Sequence, residues 1–167
     1  MRAMKGFTFL EMIIVLVISS LLLTIGIPSF KNLIEGNRVL NVGSSVQNSL
    51  MFARSQSVSL INYVTVCPLK SDNTCGDDWI NGLDVFIDAN ENEEFDDDDT
   101  KLKAAVPFTN TDTLVFPRSS VTFTPDGQIS DDAATFRYCS GDRRVGVSVA
   151  FSGQAKILSD ETFDDCL

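Results

Sequence analysis

Three hydrophobic patterns follow one another along this chain. From Met12 to Phe30 there is no charged side chain, so apolar residues cover every face a helix would present. That stretch is close to the roughly 20 residues a helix needs to cross a bilayer. Beyond Pro28 the apolar positions recur at three- and four-residue steps: Val39, Val42, Val46, Leu50, Ala53 and Leu60. Polar residues such as Asn41, Ser45, Asn48, Arg54 and Gln56 lie between them. This spacing predicts an amphipathic helix with one face packed on something apolar, stopped at Asn62. The two stretches together predict one helix of around fifty residues, roughly 75–80 Å long at 1.5 Å per residue. Gly26 and Pro28 predict a kink within it, or local melting on assembly, because proline removes a backbone donor.

From Tyr63 the period becomes two. The predicted strands are YVTVC, LDVFID, LKAAV, SVTFT, TFRYC, VGVSVAF and AKIL. Turn signals separate several of them: PDGQ at Pro125, SGD at Ser140 and SGQ at Ser152. The pattern predicts antiparallel sheet, with hairpins, covering the apolar face of the helix, and so an α+β class. Trp79, in DDWINGL, is expected in the core or at a loop base.

The first stretch carries one acid, Glu11, near its front edge. A carboxylate in hydrocarbon costs several kcal/mol, so an ionisable residue there points to function. Arg2 and Lys5 precede it, which keeps the N-terminus cytoplasmic and sends the remainder across the membrane. An ordinary secretory signal would be cut at a small-x-small site after its apolar core. TIGIPSFKNL, which follows Leu23, offers no convincing one.

Charge and composition narrow the chemistry. The net charge is −10 over 167 residues, with no histidine. An acidic balance argues against tight nucleic-acid binding, which needs clustered Lys and Arg. Without histidine there is no His-based acid–base chemistry, and most zinc sites are excluded. No enzyme and no cofactor are expected. The four cysteines, Cys67, Cys75, Cys139 and Cys166, form no CxxC pair. Their even number beyond a membrane segment fits disulfides in an oxidising compartment. Three pairings are open. The favoured one joins Cys67 to Cys75 across a short loop and Cys139 to Cys166 at the C-terminus.

MKGFTFLEMIIVLVISSLLLTIGIPSF resembles the N-terminus of type IV pilins and pseudopilins. The matching features are a basic leader ending in Gly6, the aromatic Phe7, Glu11 as the fifth residue after the glycine, the apolar run, and Pro28 downstream. The resemblance implies that a prepilin peptidase cuts after Gly6 and methylates Phe7. It further implies that Glu11 meets the terminal amine of a neighbouring subunit, offsetting a charge that would be costly if buried alone. Four segments follow: a leader at 1–6, a transmembrane and assembly helix at 7–30, its amphipathic half at 31–62, and a periplasmic β-rich domain at 63–167.

The order LMFARSQSVSLINYVTVC, WINGLDVFIDANENEEFD, VTFTPDGQI, FRYC, RRVGVSVAFSGQAKI is similar to the FimT/FimU/GspH branch over nearly the whole chain. That branch implies a minor pilin that helps initiate and cap a type IV pilus within a tip complex. The alternative is a minor pseudopilin of type II secretion. The implied partners are other minor and major pilins or pseudopilins, the peptidase, and an assembly platform in the inner membrane. The implied location is the bacterial inner membrane, with the C-terminal domain in the periplasm, and then the fibre tip. A third reading is DNA binding, as in FimT-like relatives with a Gly-Arg-x-Arg pattern. The matching stretch here, Gly153 to Lys156, has Gln154 and Lys156 in place of the arginines. Asp160, Glu161, Asp164 and Asp165 nearby repel phosphate, and Arg143 and Arg144 form only a small basic spot, so DNA is not an expected partner.

DANENEEFDDDD partly matches a calcium loop. Asp88, Asn90 and Asn92 fill alternating ligand positions and Asp99 falls at the twelfth, but Glu93 stands where the turn glycine belongs. The main expectation is a hairpin tip kept soluble by solvated carboxylates, with calcium the fitting ion if one binds, since all ligands are oxygens.

Overall fold

The computed structural model describes residues 8–158, apart from the side chains of residues 25 and 28. Compact units divide the chain between Gly36 and Asn37. The helix α1 (Phe9–Leu60) is 52 residues long. It is followed by β1 (Val64–Cys67), β2 (Asp84–Ile87), β3 (Thr100–Lys103), β4 (Thr113–Val115), β5 (Val121–Phe123), β6 (Ala134–Ser140), β7 (Arg143–Val149) and β8 (Ala155–Leu158), with a short 3-10 turn at Trp79–Asn81. Two four-stranded sheets result, ordered β3-β2-β1-β5 and β4-β6-β7-β8. Every pairing is antiparallel.

Within the second unit the predicted stripe forms the helix side of the core. Val39, Val42, Val46, Leu50 and Ala53 are buried. Leu60 departs from the expectation: it is 46% exposed, and Ser57 is buried in its place. The 3.6-residue repeat that runs through Leu50 and Ala53 next reaches Ser57, and the helix ends before another turn can be packed. The end is a Schellman-type closure. Ile61 takes a left-handed φ of 52°, and the Asn62 N–H donates to the Ser57 carbonyl at 3.2 Å.

Polar ties reinforce this packing. Arg54 Nε donates to the Gly127 carbonyl at 2.9 Å, Gln47 Nε2 to the Ala155 carbonyl at 3.0 Å, and Lys103 Nζ to Ser49 Oγ at 2.7 Å. Gly127 and Gly153 let two turns crowd together here. Both have positive φ, and a Cβ on Gly153 would sit 2.0 Å from the Gly127 carbonyl oxygen. Trp79 fills the core, as expected. It is fully buried, meets Phe136 and Phe116 edge-on at 4.9 and 5.4 Å, and donates its Nε1–H to the Arg118 carbonyl at 2.9 Å.

Two strands differ from the sequence reading. The strand expected at LKAAV lies earlier, at Thr100–Lys103. The Ala105 N–H leaves the ladder for the carboxylate of buried Asp84, at 3.1 Å. Strand β4 was not predicted. Three residues, TLV, are too few to show alternation, and the strand exists because it pairs with β6.

Candidate functional site

The first turn of α1 places Glu11. Thr8 N–H donates to Glu11 Oε2 at 3.1 Å, and the Glu11 N–H donates to Thr8 Oγ1 at 3.3 Å. This is a reciprocal capping box, T-x-x-E, which satisfies two donors that a helix start leaves unpaired. The sequence reading missed it, although the spacing is visible in TFLE. Gly6 and Phe7 lie outside the described residues. Pro28 lies within α1, which is assigned as helix through that position.

Behind Glu11 the helix is long and apolar enough to cross a membrane. Its most apolar 18-residue window has a mean hydropathy of 2.5, and none of that window is buried within the chain. The hydroxyls of Ser19, Ser20 and Thr24 turn back onto the carbonyls of Val15, Val17 and Ser20 at 2.7–2.8 Å. Polar groups in hydrocarbon need such internal partners.

The outward face of the second stretch is another feature the sequence reading passed over. Leu40, Ser44, Asn48, Met51, Ser55 and Val58 are all exposed. Arg54 is the only charged residue between Val39 and Asn62, and it is tied to Gly127. An exposed helix face without a charge, in a chain 22% charged, suits contact with another apolar or small-residue surface better than contact with water.

The cysteines separate into two places. Cys67 and Cys75 form a disulfide. Cys139 is also disulfide-bonded, and its expected partner, Cys166, lies outside the described residues.

The acidic loop is organised by its own backbone. Asp88 is fully buried. It accepts hydrogen bonds from Thr65 Oγ1 at 2.9 Å, Asn92 N–H at 3.1 Å and Glu93 N–H at 3.0 Å. Asp99 accepts from the Ala89 and Asp96 amides at 2.9 and 3.1 Å. Asn90 and Asn92 both donate their side-chain amides to Asp96 Oδ2 at 2.8 and 3.0 Å. The Asp98 amide, with Asn90 and Asn92, holds the Asp96 carboxyl below its ordinary pKa. The four candidate calcium positions are thus all engaged in hydrogen bonds within or beneath the loop. Among the described residues no three Cys, Asp or Glu side chains are grouped to hold a metal ion.

A part-buried polar cluster ties Arg38 of α1 to Asp112 and strand β6 within the second unit. Arg38 Nη1 lies 3.1 Å from Asp112 Oδ2 and also donates to Ser140 Oγ at 3.4 Å. The Tyr138 hydroxyl donates to the same carboxylate. Burial opposes the charge on Asp112, but hydrogen bonds from Tyr138, Arg38 and Ser140 outweigh it, so its carboxyl sits below the ordinary value. Burial first, and the Asp112 contact second, push the Tyr138 phenol well above its ordinary value. Of the positions weighed for DNA, Gly153 is buried at the β7–β8 turn, and the basic Arg143 and Lys156 are exposed.

Known proteins share both regions. A family profile described as Type II transport protein GspH matches residues 43–153. Another, the prokaryotic N-terminal methylation motif, matches residues 1–27. Comparison with curated proteins finds no match. Among solved structures, the type IV minor pilin FimU of Pseudomonas aeruginosa is similar with a TM-score of 0.58 at 20% identity, over 73% of this chain and 89% of that one. The minor pseudopilin EpsH from the type 2 secretion system of Vibrio cholerae is similar with a TM-score of 0.53 at 11% identity, over 74% and 98%. At these identities the likeness is one of fold.

Proposed function

Because this chain belongs to the GspH family, within the type IV pilins and pseudopilins, and is therefore a structural subunit rather than an enzyme, we propose that it is a minor pilin that helps initiate and cap a type IV pilus. The observation that carries this reading is the exposed apolar helix with a single acid, Glu11, in its first turn. The start of this helix, with Glu11, lies within the stretch that matches the methylation motif, residues 1–27. In the proposed sequence of events, the leader at 1–6 holds the N-terminus on the cytoplasmic side through Arg2 and Lys5. The peptidase cuts after Gly6, where the absence of a Cβ lets the backbone enter a tight site. Phe7 then gains a free amine, which is methylated and can meet Glu11 of a neighbouring subunit. Segments 7–30 and 31–62 form the assembly helix, with Pro28 as its point of adjustment. The domain at 63–167 stands in the periplasm, a compartment that suits the Cys67–Cys75 disulfide. Other minor and major pilins and the inner-membrane platform are the partners, and the uncharged outer face of α1 offers a surface for them.

A second reading, a minor pseudopilin of type II secretion, is favoured by the description of the matching family. Deleting the gene distinguishes the two: loss of surface fibres with secretion intact supports the pilus, and the reverse supports the pseudopilin. Processing tests what both share. N-terminal mass spectrometry of fibre-derived protein is expected to find methylated Phe7. The Gly6→Val variant is expected to stay uncut, membrane-bound and absent from sheared fibres. An intact Met1 in fibre-derived protein, or a mature end beyond Leu23, would overturn the proposal.

A further inference from the structure

The loop closed by Cys67 and Cys75 and the acidic loop after β2 lean on each other. Thr74 and Glu94 form an antiparallel bridge, and the Phe95 N–H donates to the Asn73 carbonyl at 3.0 Å. Below this contact the Phe95 ring meets Phe86 edge-on at 5.5 Å. Lys101 Nζ sits 4.8 Å from the centre of the Phe95 ring and 3.2 Å from Asp84 Oδ1. Buried Asp84 also accepts from the Leu69 N–H, inside the disulfide loop, at 3.3 Å. Asp84, Lys101 and Phe95 therefore serve both loops.

The two arms differ in what else holds them. The base of the acidic loop is anchored on buried Asp88. The disulfide loop has exposed residues at Lys70, Ser71, Asp72 and Asn73. Turn bonds and the covalent link hold it. Segments with few buried contacts are the ones that open locally. From Asp88 to Asp99 there are eight carboxylates and no cation, so like-charge repulsion favours opening of the outer arm once its support is released.

We propose that the Cys67–Cys75 disulfide is a redox-sensitive latch that fixes Glu94 and Phe95 of the acidic loop, and that a dithiol opens it without unfolding the sheets. Cys75 is half-buried and Cys67 fully buried, so an incoming thiolate attacks Cys75 Sγ and expels the Cys67 thiolate, which takes up a proton. The second thiol of the reductant then displaces Cys75 and leaves as a cyclic disulfide. Two electrons and two protons pass to the protein. Cys67 closes β1, a strand paired on both sides, so the ladder persists when the covalent link is gone. This inference does not depend on which fibre the subunit joins.

The test is amide hydrogen exchange on the full chain in detergent, comparing wild type with a Cys67→Ala/Cys75→Ser variant that leaves Cys139 untouched. The Phe95 amide is expected to exchange about tenfold faster in the variant, as for a local opening, with β1, β6 and β7 unchanged. Unchanged protection at Phe95, or protection lost evenly across β1 and β2, overturns the latch. A second arm keeps the cysteines. Coupling is reciprocal, so Phe95→Ala is expected to make Cys75 alkylatable at several-fold lower dithiothreitol. An unshifted dithiothreitol dependence refutes the coupling.

Discussion

Two stretches of α1 belong to one continuous helix and behave as different materials. Between Phe9 and Ile34 the described large apolar side chains are exposed on all sides, Leu16 at 68% and Leu22 at 69%. Between Val39 and Ser57 the apolar side chains on one face are sealed, Val46 at 1% and Leu50 at 0%. Hydrophobic content falls from 17 of 26 residues in the first stretch to 8 of 19 in the second, but content alone does not say which faces are apolar. Periodicity separates them: the second stretch confines its buried positions to one face, and the first has no polar face at all. A uniform apolar surface asks for hydrocarbon or other helices around it, whereas a stripe asks for a single partner layer. Two sheets of the same chain supply that layer for the second stretch.

The strongest way to test this contrast is the same substitution on each side of it. Leu50→Ala is expected to destabilise the sheet-bearing unit by about 2–5 kcal/mol, the range for a large-to-small change in a sealed core. Leu22→Ala is expected to leave the melting of that unit unchanged. Near-UV circular dichroism of both variants in detergent, followed through thermal unfolding, reads the difference. Equal losses would mean that the first stretch packs on the folded unit and that the two stretches are one material.

The next effect is smaller and depends on pH. Asp112→Ala removes the acceptor of Arg38 and of the buried Tyr138 hydroxyl, and is expected to cost about 1–3 kcal/mol, mostly through the orphaned hydroxyl. The Asp112 carboxyl is lowered below its ordinary value of 3.8 in the folded chain. Its stabilisation is therefore present above that value and fades as pH falls through the lower, folded one. Wild type and Asp112→Ala should differ in denaturant midpoint at neutral pH and converge under acid. A gap that persists at acid pH would assign the loss to packing instead.

Legibility in the sequence follows the range of the interactions. The apolar run, the helical stripe and most strands are local patterns, and they were readable. The Arg38–Asp112 contact joins residues 74 apart, and nothing at either position announces the other. The order β3-β2-β1-β5 depends on which strands meet, which alternation alone does not encode. The acidic loop is ambiguous in the sequence for a physical reason. Alternating oxygen-bearing side chains are what a cation needs, and they are equally what a tight loop needs to satisfy its own amides, as Asp88, Asp96 and Asp99 do. The Thr8–Glu11 cap is legible in TFLE as a T-x-x-E spacing, a local signal like the stripe.

That cap gives the smallest expected change in stability and the finest test of the first stretch. Glu11 has two properties, a carboxyl oxygen that accepts the Thr8 N–H and a negative charge. Glutamine keeps an oxygen acceptor at the same reach and loses the charge; alanine loses both. Glu11→Ala is expected to cost the helix start about 1 kcal/mol, with fraying near Thr8, and Glu11→Gln to cost only tenths of that. Neither should prevent membrane insertion, because the apolar window behind Glu11 is untouched. If pairing with a neighbouring terminal amine is what Glu11 supplies to assembly, both variants fall out of sheared fibre fractions together, although only alanine frays the helix. If capping is the whole of its role, glutamine enters fibres as wild type does and alanine alone is lost. Quantifying both variants in the fibre and membrane fractions separates the charge from the cap, and recovery of Glu11→Gln at wild-type levels would rule the charge out.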